Sequence, residues 1–183
     1  MPAQFGEDIW IEQNVKLPER GFYIDVGCAF PDACSNTQFL RNRGWAGLAI
    51  DANPAYSQFW PGHFMVAIVS DQPIVCMDFR RQATHSRIAG KGCHFAAVTL
   101  ENLCQALEIR KVDVLSLDIE GGEFAALRSL DLKSHNPTVI ISEFITEGIP
   151  GEDWRVRDFL LENGYRLGHR TEANVIMVRD ETR

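Results

Sequence analysis

Short apolar runs alternate along this chain with longer stretches in which apolar residues recur every three or four positions. Phe22-Tyr23-Ile24-Asp25-Val26 is rich in β-formers and halts at Gly27, which predicts a first buried strand. Ser35-Asn36-Thr37-Gln38 predicts a capping box with Ser35 as N-cap, opening a helix through Phe39 and Leu40 that ends near Gly44. Gly47-Leu48-Ala49-Ile50-Asp51 predicts a second strand, stopped by the Asn53-Pro54 turn signal, with a helix starting at Pro54. Residues 64–69 read as a third strand and 74–79 as an antiparallel addition. From 80 to 93 the chain is polar, basic and aperiodic, the pattern of a mobile loop. Thr99 caps a helix with Leu100, Leu103, Cys104 and Leu107 on one face.

Residues 112–117 predict a fourth strand, followed by Asp118-Ile119-Glu120-Gly121-Gly122 and a helix carrying Phe124, Leu127 and Leu130. Residues 139–144 predict a fifth strand, and 154–162 a helix closed by Asn163-Gly164. Tyr165-Arg166-Leu167-Gly168 and Val175-Ile176-Met177-Val178 flank a short polar turn, so they must pair antiparallel. Alternating strands and helices imply an α/β fold with a mostly parallel, doubly wound sheet. The C-terminal antiparallel strand pair is a feature that a plain dinucleotide-binding fold does not need. It belongs to the Rossmann-like variant of class I methyltransferases, which bind S-adenosylmethionine (SAM).

Length and composition narrow the picture. A chain of 183 residues with 45% apolar and 23% charged residues fits one globular domain, 1–183. A formal charge of −7 argues against a nucleic-acid partner, which calls for clustered Lys and Arg. The five cysteines, Cys28, Cys34, Cys76, Cys93 and Cys104, form no CxxC pair and leave one over, which favours a reducing, cytoplasmic setting. Cys93-His94 alone does not make a zinc site. The first residues show no basic and apolar leader pattern, and no apolar run is long enough for a membrane span.

Ligands of open α/β sheets sit beyond the carboxyl ends of the strands. Those ends deliver Asp25-Val26-Gly27, Asp51-Ala52-Asn53, Val69-Ser70-Asp71, Asp118-Ile119-Glu120 and Glu143, more carboxylates than a fold requires. A nicotinamide enzyme would want G-x-G-x-x-G after the first strand to admit a pyrophosphate. Gly27-Cys28-Ala29-Phe30-Pro31-Asp32 has no further glycine. SAM carries a sulfonium and an ammonium and no phosphate, so an acidic, glycine-poor turn suits it better than NAD. Asp25 is placed to face the ammonium, and Asp51 to accept the ribose hydroxyls.

At these residues the chain resembles the FkbM family of SAM-dependent methyltransferases. The likeness runs through Gln4-Phe5-Gly6-Glu7-Asp8, Asp25-Val26-Gly27, Ser35-Asn36-Thr37, Gly44-Trp45-Ala46-Gly47, Ile50-Asp51-Ala52-Asn53-Pro54, Thr99-Leu100, the run from Asp113 to Glu123, and Gly164-Tyr165. Many members carry Asn-Asp-Gly where this chain has Ala29-Phe30-Pro31, and a branch with proline there is closer. The resemblance implies O-methylation of a hydroxyl on a small molecule, sugar or glycolipid. The strand ends, the turn after the first strand and the matched motifs together give cofactor-binding candidates Asp25, Gly27, Cys28, Ser35, Asn36, Asp51, Ala52, Asn53, Ser70, Asp71 and Asp118. Asp118 is the first choice to handle the hydroxyl proton, with Glu120 and Glu143 beside it.

An alternative gives the carboxylate cluster a divalent cation such as magnesium. Two competing readings of the whole chain are a NAD-dependent oxidoreductase and a catalytically silent nucleotide-binding module of the same fold. Trp45 and Trp60 read as packing residues, and Phe30 as a stacking or lid residue of the cofactor loop. His85 and His94 are secondary base candidates, while Arg80, Arg81, Arg87 and Lys91 are candidates for holding an anionic acceptor. The acceptor's identity and the oligomeric state are not readable from the sequence.

Overall fold

A computed structural model describes residues 3–79, 86–88, 93–145 and 153–181. In chain order the elements are α1 (Glu7–Asn14), β1 (Phe22–Val26), α2 (Gln38–Asn42), β2 (Ala46–Asp51), a 3₁₀ segment (Pro54–Phe59), β3 (Phe64–Val66), β4 (Ile74–Phe79), β5 (Ser86–Ile88) and β6 (Cys93–Ala96). They continue as α3 (Leu100–Ala106), β7 (Val114–Leu117), α4 (Glu123–Arg128), α5 (Leu132–His135), β8 (Val139–Glu143), α6 (Arg155–Glu162), β9 (Tyr165–Arg170) and β10 (Asn174–Arg179).

Seven strands form one sheet in the order β3-β2-β1-β7-β8-β10-β9. The pairs β3/β2, β2/β1, β1/β7 and β7/β8 are parallel, while β10 runs antiparallel to both β8 and β9. This is the expected α/β architecture, closing strand pair included. Leaving β1, the chain builds β2 and β3 on one side, then returns to place β7 on the other. The strand order therefore reverses between β1 and β7, where an open α/β sheet leaves a crevice at its carboxyl edge.

Side chains alternate across the sheet with period two, and the two faces collect different cores. Ile24, Val26, Leu115, Leu117 and Ile140 pack with Leu100 and Leu103 of α3, Leu127 of α4 and Leu160 of α6. Tyr23, Val114, Val139 and Ile141 pack on the opposite face with Ile11 of α1, Phe39 and Leu40 of α2, and Trp45. By the same alternation Asp25 and Ser116, register partners across β1 and β7, share the α2 face. Both are buried.

Several expected elements are redrawn. Ser35 does not cap α2: the N-cap is Thr37, with no side-chain cap bond. The hydroxyls are engaged elsewhere, because the Ser35 Oγ accepts from the Thr37 N–H at 3.4 Å and from Arg41 at 3.3 Å. The third strand stops at Val66, and Val69 makes only an isolated parallel bridge to Val98. β4 is antiparallel as expected, but it joins a separate small sheet, β5-β4-β6, instead of the main one. The stretch read as a loop thus contributes β5 and the start of β6. Its residues Arg80, Arg81, His85 and Lys91 lie outside the described residues, as do the side chains of Cys76, Arg87 and Cys93.

Leu107 is the C-cap of α3 and is exposed, and Leu130 is buried beyond the end of α4. Trp45 and Trp60 are both buried packing residues. The cap of α3 is as expected, with the Thr99 hydroxyl accepting from the Asn102 N–H at 3.0 Å. Thr99→Ala is expected to cost about 1 kcal/mol, the usual worth of such a cap, read from the midpoint of urea unfolding.

Candidate active site

The turn after β1 is folded against both neighbouring strands. The N–H groups of Gly27 and Cys28 both donate to the Ile50 carbonyl, at 2.8 and 3.2 Å. The Ala29 N–H donates to Asp51 Oδ2 at 3.1 Å, and the Asn53 N–H to Asp51 Oδ1 at 2.8 Å. Three successive amides are therefore spent inside the protein and are not free to cradle a phosphate. Gly27 sits at φ 80°. A Cβ there would lie inside contact distance of the Asp118 carbonyl, 2.7 Å from its carbon. Gly27 is a cofactor-binding candidate from its place after the first strand. What demands glycine is instead the approach of the β1 turn to the β7 turn.

Between these turns opens a cavity of about 360 Å³ lined by Asp25, Gly27, Cys28, Ser35, Asn36, Asp51, Ala52, Asn53, Ser116, Asp118 and Glu120, with Gln4 and Tyr56 at its sides. Most candidate residues thus converge on one place. Ser70 and Asp71 do not line it: Ser70 is buried and accepts from the Gln72 N–H at 3.1 Å, and Asp71 pairs with Arg128 at 2.9 Å. They are displaced because the third strand ends three residues earlier than its apolar run. Glu143 is not part of the lining either. It lies close enough for its charge to interact with those of Asp118, Glu120 and Glu123, and its Oε2 is buried without a hydrogen-bond partner among the described residues.

Among the described residues the lining holds four carboxylates, Asp25, Asp51, Asp118 and Glu120, and no Lys, Arg or His. Burial pushes Asp25 up to about 6, against hydrogen bonds from Thr37 and Ser116 and the charge of Arg41, which favour the ionised form. Burial likewise raises Asp51, against the N–H groups of Asn53, Ala29 and Ala52. Asp118 is open toward the mouth of the cavity and recessed on its other sides. That recess, then the charges of Glu123, Glu120, Asp25 and Glu7, raises it well above the usual carboxylate range. Because water reaches it from the mouth, the surrounding charges are the firmer cause. Glu143 is raised by burial and by Asp118, Glu123 and Glu120.

Three non-glycine residues of the cavity wall have left-handed backbones: Ala29 (φ 42°), Cys34 (φ 55°) and Glu120 (φ 57°). Each such residue costs roughly 1–2 kcal/mol, so the wall is held by its surroundings rather than by local preference. Part of that support comes from Glu123, the buried first residue of α4, whose carboxylate accepts from Ile119 N–H at 2.8 Å and from Gly121 N–H at 3.0 Å. Burial pushes Glu123 up to about 7. The loop that departs from the common family pattern is also pinned: Trp60 Nε1 donates to the Ala29 carbonyl at 2.8 Å, and Phe30 packs edge-on against Tyr56. Phe30 is over a third exposed and lies over this wall rather than in a core.

Sequence reasoning missed α1 and what it does. Glu7 is fully buried and accepts from Asn174 Nδ2 at 2.8 Å and Thr171 Oγ1 at 3.2 Å, clamping α1 to the β9–β10 hairpin. That clamp places Gln4 at the cavity. The opening motif was visible, but only a contact more than 160 residues away gives Glu7 its task. His94 is exposed on β6 and is not among the cavity-lining residues. Among the described residues no group of three or more His, Cys, Asp or Glu is arranged to hold a metal ion, so the divalent-cation alternative finds no support. Among them, too, no helix is long and apolar enough to cross a membrane.

Residues 77–167 match the model of the methyltransferase FkbM domain. The match bears out the resemblance read from the motifs. It begins after β3, so Asp25, Gly27 and Asp51 lie outside it. Among solved structures, the chain is similar to one in the crystal structure of a fibrillarin/Nop5p complex, with a TM-score of 0.52 over 97% of this chain and 81% of that one. At 10% identity this likeness shows the fold alone. No curated protein matches the sequence.

Proposed function

From the FkbM methyltransferase domain that this chain carries over residues 77–167, we propose that residues 1–183 act as one SAM-dependent methyltransferase domain. The transfer is to a hydroxyl of a small molecule, sugar or glycolipid. The observation that carries the cofactor is the charge of the cavity: four carboxylates and, among the described residues, no cationic side chain, with the amides of Gly27, Cys28 and Ala29 already bonded. A pyrophosphate would meet repulsion there and find those three amides taken, whereas a ligand with ammonium and sulfonium charges is attracted. Bound there, the cofactor supplies a methyl group on a positively charged sulfur. Asp25 and Asp118 would hold its cationic end. Asp51 would take the ribose hydroxyls, since a carboxylate has about four acceptor sites and the backbone does not use them all.

Titration calorimetry with SAM, S-adenosylhomocysteine (SAH) and NADH tests this reading. SAM and SAH are expected to bind and NADH not; the reverse result revives the oxidoreductase. Binding of SAH without methyl transfer across a broad set of hydroxyl acceptors would favour the silent module. Asp51→Asn is expected to weaken SAH by roughly 10- to 100-fold, the worth of a charge-assisted hydrogen-bond pair. Unchanged affinity would remove Asp51 from the site.

A further inference from the structure

Arg41 lies one turn into α2, half-buried and outside the cavity lining. No motif singles it out, yet it is among the most connected side chains around the cleft. Its guanidinium donates to the Pro31 carbonyl, to Ser35 Oγ at 3.3 Å and to Thr37 Oγ1 at 2.9 Å. It also lies over the Trp60 ring, 4.6 Å from the centroid, while that ring's N–H holds the Ala29 carbonyl. One cation therefore ties together both ends of the loop that walls the cavity.

Thr37 stands between Arg41 and Asp25, with its Oγ1 2.5 Å from Asp25 Oδ2. The direction of this chain of hydrogen bonds follows from the groups themselves. Guanidinium can only donate, so Thr37 Oγ1 must accept from Arg41. A hydroxyl has a single proton, and of the two acceptors within reach, Ser35 Oγ at 3.4 Å and Asp25 Oδ2 at 2.5 Å, the carboxylate is the nearer and the stronger. Ionised Asp25 accepts it. Buried in a cleft with other acids, Asp25 would otherwise tend to keep a proton of its own.

We propose that Arg41 is a positioning residue of the cofactor cleft: by donating to Thr37 it commits that hydroxyl to Asp25 and presents Asp25 to the ligand's ammonium as an ionised acceptor. The ligand part of this proposal rests on the cleft being a SAM site; the polarity of the relay does not. The groups that face Asp25 are Thr37 and Arg41 from the α2 segment, Ser116 on β7, Asp118 after it, Asp51 at the end of β2, Tyr23 on its own strand and Cys28 in the turn that follows. Of these only Arg41 is cationic, so its removal shifts the balance toward protonated Asp25.

The experiment compares wild type, Arg41→Gln, Thr37→Val and Thr37→Ser in two ways. The first is SAH affinity by calorimetry from mildly acidic to mildly alkaline pH. The second is the carboxyl carbon-13 shift of Asp25, titrated in the ligand-free protein. An ammonium ligand needs ionised Asp25, so wild-type affinity falls as the pH drops through the Asp25 midpoint. In Arg41→Gln and Thr37→Val that midpoint moves to higher pH in both measurements, and SAH binds about tenfold more weakly at neutral pH, as for one lost charge-assisted hydrogen bond. Thr37→Ser, which keeps the hydroxyl, restores the wild-type profile.

Equal weakening at every pH with an unmoved Asp25 midpoint would reduce Arg41 to a structural brace and overturn the proposal. Should Arg41→Gln fail to fold, Thr37→Val decides it. If wild type does not bind SAH at all, the functional reading falls, and the ligand-free titration still decides the relay.

Discussion

Gly27→Ala is expected to lose a large share of the folded protein's stability. At φ 80° an alanine costs about 1–2 kcal/mol in backbone strain alone. Its Cβ would also intrude on the Asp118 carbonyl and come within 2.9 Å of Ile119 Cγ2. The carbonyl cannot swing aside cheaply, because the Asp118 N–H is bonded to the Val26 carbonyl at 3.0 Å and β1 and β7 are paired along their length. Overpacking of this kind adds about 1–3 kcal/mol, for a total of roughly 2–5 out of the 5–15 kcal/mol that a domain commonly has. Urea unfolding gives the measurement, with Gly62→Ala as control. Gly62 has open space around it and no left-handed backbone, so alanine there stays within about ±0.5 kcal/mol. Equal midpoints for the two variants would show that the β1 and β7 turns are not in the contact described.

The same glycine shows how far the sequence could be read. Its importance was visible from its place after a strand, but the reason was not, since the colliding group is 91 residues away in the chain. β1, β2, β7 and β8 were legible because their runs are buried on both faces and leave little ambiguity in the pattern. β3 was not, because an apolar run carries no mark of where pairing stops; Ala67 and Ile68 leave the strand while remaining half-buried. α1 was hidden because its buried positions include Glu7 and Asp8, which break the apolar period. The capping box at Ser35 failed for a related reason: a hydroxyl that could cap a helix is worth more beside Arg41 in this fold.

The site followed the same division. Strand ends delivered Asp25, Asp51 and Asp118, because parallel strands bring their carboxyl ends to one edge whatever lies between them. Ser70 and Asp71 were misplaced along with the end of their strand. Arg41 and Glu123 were passed over because a charged residue on a short helix ordinarily faces water, whereas Arg41 turns to Pro31 and Trp60, and Glu123 to the N–H groups of Ile119 and Gly121.

Asp118→Asn is the second large effect, and we propose that it falls on turnover. A general base that accepts the acceptor's hydroxyl proton contributes about 10²–10⁴-fold, so kcat is expected to drop by that order with SAH affinity reduced far less. The raised proton affinity of Asp118 is suited to the task, because a base near its working pH both holds the right protonation state and accepts a proton readily. Activity then rises with pH as Asp118 loses its own proton. Glu120→Gln removes one of the negative neighbours that raise Asp118, which makes Asp118 easier to ionise. The acid limb of the pH–rate profile is therefore expected to move to lower pH while turnover at the plateau persists. A limb that stays in place would separate Asp118 from the observed titration. Loss of turnover in Glu143→Gln with activity kept in Asp118→Asn would transfer the proton-accepting role to Glu143, whose buried Oε2 has no hydrogen-bond partner among the described residues.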